Sequence, residues 1–192
     1  MFTSDSVVEI PPTAGLPLHL RDLFPSWSEN FSNQLAKFIG VSAVGVECSG
    51  TASLIVILET LSRLSTRKTV IIPAYTCPLV VFAIVKSRLQ LRVCDICPDS
   101  FELDIDLLAK LCDHDTLAII PAHLGGRVAD LNPIIALGKQ CGAYVIEDAA
   151  QALGARYQGK SVGLLGDAGF FSLAAGKGLS IFEGGGVDRC GC

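Results

Sequence analysis

A rhythm in the chain constrains its fold more than any single residue does. From residue 43 onward, short unbroken apolar runs alternate, about six times, with longer segments of helical length and spacing. AVGVEC, TVIIP, LQLRVCDI, TLAIIPAH, AYVIED and DAGFFSL read as strands. TASLIVILETLSRL, CPLVVFAIVKSRL, DIDLLAKLC and LNPIIALGKQC read as the helices between them, the second with a proline near its start and the third opened by acids. Strands of continuous rather than alternating apolar residues are buried on both faces. They call for a mostly parallel sheet covered by helices, a three-layer α/β fold. AAQALGA reads as a small-residue turn and YQGKSVG as a hairpin or loop. Ahead of the rhythm, SWSENFSNQLAKFIG predicts an amphipathic helix with Phe31, Leu35 and Phe38 on one face, preceded by an irregular arm over residues 1–25.

Composition agrees and narrows the function. Of 192 residues, half are apolar and 18% are charged, ample for a core and unlike a disordered chain. A net charge of -4 leaves no broad basic surface, which argues against nucleic acid or an anionic membrane as partner. No apolar run approaches the roughly 18 residues that span a bilayer. The first residues lack the basic start and apolar stretch of a signal peptide, so a cytoplasmic chain is expected. Eight cysteines are present, with one CxxC pair, Cys94 and Cys97; the nearby His114 has no companions at ligand spacing. Thiols rather than a metal centre are expected.

In sheets of this kind ligands bind beyond the carboxyl ends of the strands, so polar residues there carry the search. Four such ends stand out. CSGTASL places Ser49, Gly50 and Thr51 where a strand meets a helix. It reads either as N-capping or as an anion site made by free N–H groups. IEDAAQALGA puts Glu147 and Asp148 at the end of an apolar strand with Gln151 three residues on. Asp148 would either cap a helix after the strand or meet a ligand. PAHLGGRVADL offers His123, for a ring contact or as a satisfied histidine, and Arg127 with Asp130, which would pair with each other. SLAAGKGLS surrounds Lys177 with glycine and apolar residues. Such a setting favours a neutral, nucleophilic amine, able to form a Schiff base with an aldehyde cofactor. Pyridoxal 5'-phosphate needs three further things: a phosphate cradle, a carboxylate for its pyridine nitrogen and a donor for its ring hydroxyl. SGT, Asp148 and Gln151 supply candidates for each.

SGTASL, PAYT, PAHLGGRVADL, IEDAAQALGARYQGKSVGLLGDAGFFSL and GKGLSIFEGGG also resemble, in order and spacing, the DegT/StrS-type nucleotide-sugar aminotransferases over residues 45 to 187. These are fold type I pyridoxal-phosphate enzymes. The resemblance implies that Lys177 forms the Schiff base and later moves a proton between carbon centres. It implies that Asp148 keeps the pyridinium nitrogen protonated and that Gln151 meets the ring hydroxyl. Gly50, Thr51 and Ala52 would hold the phosphate together with the Ser172 hydroxyl. The implied reaction transfers an amino group, usually from glutamate, to a nucleotide-linked keto-sugar, in a homodimer. The alternatives are a chain that binds cofactor weakly without catalysis, or another reaction on the same cofactor.

Two departures accompany the resemblance. Cys77 stands where relatives carry a large residue stacked on the ring. The chain is also about half the family's length. It therefore reads as a C-terminally truncated form, lacking the small C-terminal domain and a last strand of the large sheet between DAGFFSL and AVGVEC. The expected layout is an arm and helix over 1–42, an incomplete cofactor-binding domain over 43–187 and an aberrant tail over 188–192.

Overall fold

A computed structural model describes residues 30–174, 176–179 and 184–189. The expected arm and the last residues of the expected tail lie outside the described residues. The elements run α1 (Phe31–Ile39), β1 (Gly45–Glu47), α2 (Gly50–Leu64), β2 (Thr69–Pro73), α3 (Pro78–Lys86), β3 (Gln90–Cys94), α4 (Ile105–Leu111) and β4 (Thr116–Ile119). They continue with α5 (Asn132–Cys141), β5 (Tyr144–Asp148), the short strands β6 (Arg156–Tyr157) and β7 (Lys160–Ser161), β8 (Ala168–Ser172) and β9 (Gly185–Arg189). The alternation read from the sequence is therefore the fold, and YQGKSVG lies at an antiparallel hairpin of β6 and β7.

Seven strands form one sheet in the order β1-β9-β8-β5-β4-β2-β3. β3, β2, β4, β5 and β8 are parallel, and β9 runs antiparallel to both β8 and β1. The inner strands β2 and β4 are buried throughout, as continuous apolar runs require. The edge strands are not. Val46 of β1 and Val93 of β3 are exposed, because an edge strand has a neighbour on one side only.

Alternate residues of one strand serve opposite layers. Val70 and Ile72 pack with Leu54, Leu58, Val80 and Ile84 of α2 and α3. Ile71 between them packs with Leu108 and Ile134 of α4 and α5 on the other face. A third cluster joins α1 to Phe171 and the small residues Ala149, Ala152 and Ala155. Burying each such leucine or isoleucine contributes about 1.5–3 kcal/mol. The α1 expectation needs correction. Its buried face is Leu35, Ala36 and Ile39, with Phe31 partly covered, while Phe38 is 54% exposed. Leu35 and Ile39 are four apart and lie on one stripe, and Phe38 falls outside it.

The expected gap in the sheet is also corrected. The position between the last strand and the first is filled by β9, built from the glycines after the lysine segment together with Val187, Asp188 and Arg189. This strand crosses the boundary at residue 187/188 drawn from the sequence. Its glycines are a packing requirement. A Cβ at Gly185 would sit 2.4 Å from the backbone carbonyl of Ser49, so only a glycine lets the strand pass beneath the start of α2.

Candidate active site

The carboxyl ends of β4, β5 and β8 and the N-terminus of α2 converge on a cavity of about 260 Å³. Its wall is mostly apolar, and its size is close to the roughly 300 Å³ at which small-molecule sites begin. Gly50, Thr51, Asp148, Gln151, Ser172 and Lys177 all line it. These lie up to 127 residues apart in sequence, and the parallel sheet is what brings them together.

α2 starts as CSGTASL suggests. Ser49 is the N-cap, and its Oγ accepts the Ala52 N–H at 3.1 Å. Of the three residues expected to hold phosphate, Gly50 and Thr51 reach the cavity, whereas Ala52 is outside its lining and spends its N–H on the cap. The capping reading holds, and Gly50 and Thr51 line the cavity at the positive end of a 15-residue helix. Ser172, the last residue of β8, lies beside them: a Cβ added at Gly50 would come within 3.2 Å of the Ser172 Cβ.

Asp148 closes β5. Its N–H donates to the Pro121 carbonyl, and its own carbonyl accepts the His123 N–H at 3.0 Å, which ties the ends of β4 and β5 together. The side chain is 8% exposed, and Oδ1 accepts the Ala150 N–H at 3.0 Å. Burial raises its pKa above the usual aspartate value, against the opposing effects of that N–H, of a positive charge on His123 were it present, and of the Lys177 charge. A carboxylate in this position is stabilised by any cationic group that enters the cavity.

Gln151 points its Oε1 at the Gly125 N–H, 2.8 Å away. A backbone N–H needs an acceptor, so the oxygen is assigned by chemistry, and the amide nitrogen remains as a donor on the cavity wall. Lys177 follows Gly176, whose φ of 84° is the left-handed conformation that glycine adopts without strain. The Lys177 N–H donates to the Ala174 carbonyl at 3.2 Å, so the lysine leaves a tight turn with its side chain on the cavity wall.

Cys77 is exposed and also lines the cavity, so no aromatic ring stands at that position. His123 lines it as well, at 1% exposure. Arg127 and Asp130 form no ion pair among the described residues; Asp130 instead accepts the Asn132 N–H at 3.1 Å. Among the described residues no group of three or more His, Cys, Asp or Glu side chains is placed to hold a metal ion. Sequence reasoning named Glu147 at the strand end but gave it no partner. It is completely buried beside Asp148, bonded to His123 and to a distant loop. The signal was available: two adjacent acids ending a buried strand face opposite ways, and both need partners.

The fold is that of the fold type I pyridoxal-phosphate aminotransferases. The chain belongs to the DegT/DnrJ/EryC1/StrS aminotransferase family, whose model matches residues 26–188. It is 43% identical over 88 residues to GDP-perosamine synthase of Caulobacter vibrioides, covering 46% of this chain and 24% of that one. It is 33% identical over 162 residues to L-glutamine:2-deoxy-scyllo-inosose aminotransferase of Streptomyces lividus, covering 84% and 38%. Its fold superposes with a TM-score of 0.78 on Spr1654 from Streptococcus pneumoniae in its PLP form, at 27% identity over 84% of this chain and 45% of that one. The chain thus spans less than half the length of these relatives.

Proposed function

We propose that this chain forms the cofactor-binding large domain of a pyridoxal-phosphate aminotransferase that transfers an amino group from glutamate to a nucleotide-linked keto-sugar. One observation carries the reading: Lys177, Asp148, Gln151, Ser172, Gly50 and Thr51 line one cavity. The residues fit the cofactor. The N-terminus of α2 and the Ser172 hydroxyl suit a phosphate, and the buried, cation-seeking Asp148 suits a protonated ring nitrogen. The free amide of Gln151 suits the ring hydroxyl, and Lys177 supplies the amine. When bound, the cofactor acts as an electron sink for the substrate carbon. Asp148 would maintain the positive charge that this requires, and Lys177 would move the proton.

The nucleotide-sugar assignment draws support from the relative named for a GDP-linked product. The relative named for L-glutamine makes glutamine the competing donor. A second copy of the chain is the proposed partner. Leu79, Phe82 and Val85 form an apolar stripe on α3 with exposures of 55%, 56% and 62%, starting two residues from Cys77 at the cavity.

The test is spectroscopic. Adding pyridoxal 5'-phosphate is expected to produce a visible absorption band that Lys177→Ala abolishes. Turnover of glutamate with a keto-sugar completes the assignment, and a thermal shift without turnover limits it to cofactor binding. A band of equal strength in Lys177→Ala would remove Lys177 from its role.

A further inference from the structure

Glu147 and His123 form a buried pair whose protonation is dictated by fixed donors. The Glu147 side chain and the His123 side chain are both completely inaccessible. Oε1 of Glu147 accepts the N–H groups of Leu165 and Gly166, the latter at 2.7 Å. Oε2 accepts the Gly163 N–H at 2.7 Å and lies 3.0 Å from Nε2 of His123. Three of these donors are backbone amides, which cannot reverse their direction. A group surrounded in this way is an acceptor on both oxygens, so Nε2 of His123 carries a hydrogen. The other nitrogen, Nδ1, lies 3.1 Å from the Ala129 N–H. That amide is also a fixed donor, so Nδ1 carries none. An imidazolium would set two N–H groups head-on in a fully buried site, and each would be left unpaired at a cost of about 1–3 kcal/mol.

We propose that Glu147 is a positioning residue that locks His123 as the neutral Nε2–H tautomer, so that the imidazole enclosed behind the cavity wall stays uncharged and leaves the adjacent Asp148 without a histidine counter-ion. The lock has two effects within the cofactor reading above, on which the functional meaning of the pair rests. Both ring nitrogens are occupied by protein and the side chain is fully enclosed, so toward the cavity His123 acts as neither a proton donor nor an acceptor. An imidazolium beside Asp148 would also neutralise the carboxylate whose charge the incoming ring nitrogen needs. Glu147 further pins the Gly163–Gly166 loop to the end of β5, which holds the whole assembly in register with the cavity floor.

The tautomer is read directly by nitrogen NMR. The chain holds three histidines, so a His19→Asn, His114→Asn double variant leaves His123 as the single imidazole signal. Near neutral pH, Nε2 is expected to show a directly bonded hydrogen and Nδ1 the shift of a bare ring nitrogen, before and after addition of pyridoxal 5'-phosphate. A protonated Nδ1, in either the Nδ1–H tautomer or the imidazolium, overturns the proposal whether or not cofactor binds. The expected pattern combined with no cofactor band refutes the proposed function instead and leaves the lock in place. Glu147→Gln turns an amide NH2 toward fixed donors. It is expected to abolish the single Nε2–H signature and weaken cofactor affinity roughly tenfold, the lower end of what one unpaired buried group costs. A variant that keeps both the signature and wild-type affinity overturns the role of Glu147. If the variant does not fold, the double-variant spectrum decides.

Discussion

Replacing Asp148 by asparagine separates what this residue costs the fold from what it does for the ligand. The residue is 8% exposed, and among the described residues its side chain has one hydrogen bond, accepted by Oδ1 from the Ala150 N–H. Asparagine has the same shape and retains that acceptor, so the substitution removes little but the charge. Burial raises the Asp148 pKa in the folded chain. The unfolded chain holds an ordinary aspartate, with a pKa near about 4. Between those two values the folded state binds more protons than the unfolded state, so stability falls as pH rises through the window. Above the folded value the penalty is complete; below about pH 4 it is gone.

Without cofactor near pH 7.5, Asp148→Asn is therefore expected to be more stable than the parent, by on the order of 1–2 kcal/mol. In a chain of this size that raises the Tm by about 3–6 °C. The advantage should close as the pH is lowered toward 4. Saturating pyridoxal 5'-phosphate should reverse the order, because ligand stabilisation grows with affinity and the variant has lost the charge that attracts the ring nitrogen. Scanning calorimetry across this pH range, with and without cofactor, measures both effects. A cofactor-free variant less stable than the parent at pH 7.5 would show that the carboxylate is a structural contact, and the reasoning would fail. So would an equal gain from cofactor in both proteins.

Three further outcomes are expected. Gly185→Ala forces a Cβ to within 2.4 Å of the Ser49 carbonyl and should cost about 1–3 kcal/mol in guanidinium unfolding, by parting β9 from α2; wild-type stability would refute that approach. Ser49→Ala removes the acceptor of the Ala52 N–H and should cost about 1 kcal/mol in the same assay. At pH 8, iodoacetamide should modify the exposed Cys48 and Cys77 but spare Cys94, a buried thiol pushed up to about 11 mainly by burial and then by Asp104 and Asp95. Pyridoxal 5'-phosphate should slow the reaction at Cys77, which lines the cavity, without slowing Cys48, as peptide mass mapping would show.

Most of the architecture was legible in the chain because it is written in local periodicity. Unbroken apolar runs such as TVIIP and TLAIIP announce strands buried on both faces, and they became β2 and β4. The cavity residues were legible because ligand sites in parallel sheets collect at strand ends, and Asp148 and Ser172 sit at two of them. Phe38 was misplaced because helical spacing gives the stripe only to within a residue or so. β9 was missed because its leading glycines have poor strand propensity and its sequence is too polar to resemble the other strands. Its Gly185 answers to Ser49, some 136 residues away, a neighbour invisible to any local pattern.

The sequence alone determined the alternation of strands and helices, the buried faces of the inner strands and the presence of a lysine, an aspartate and a glutamine suited to one cofactor. Tertiary structure decided which of those groups share a wall. It routed the Ala52 N–H into a cap while leaving Gly50 and Thr51 on the cavity, and it gave Glu147 its loop and its histidine. Periodicity depends on neighbours a few residues apart and can be read from the chain. Hydrogen-bond partners of buried groups are chosen by how the strands and loops stack, across separations of 16 to 24 residues for Glu147, and only the packed fold makes that choice.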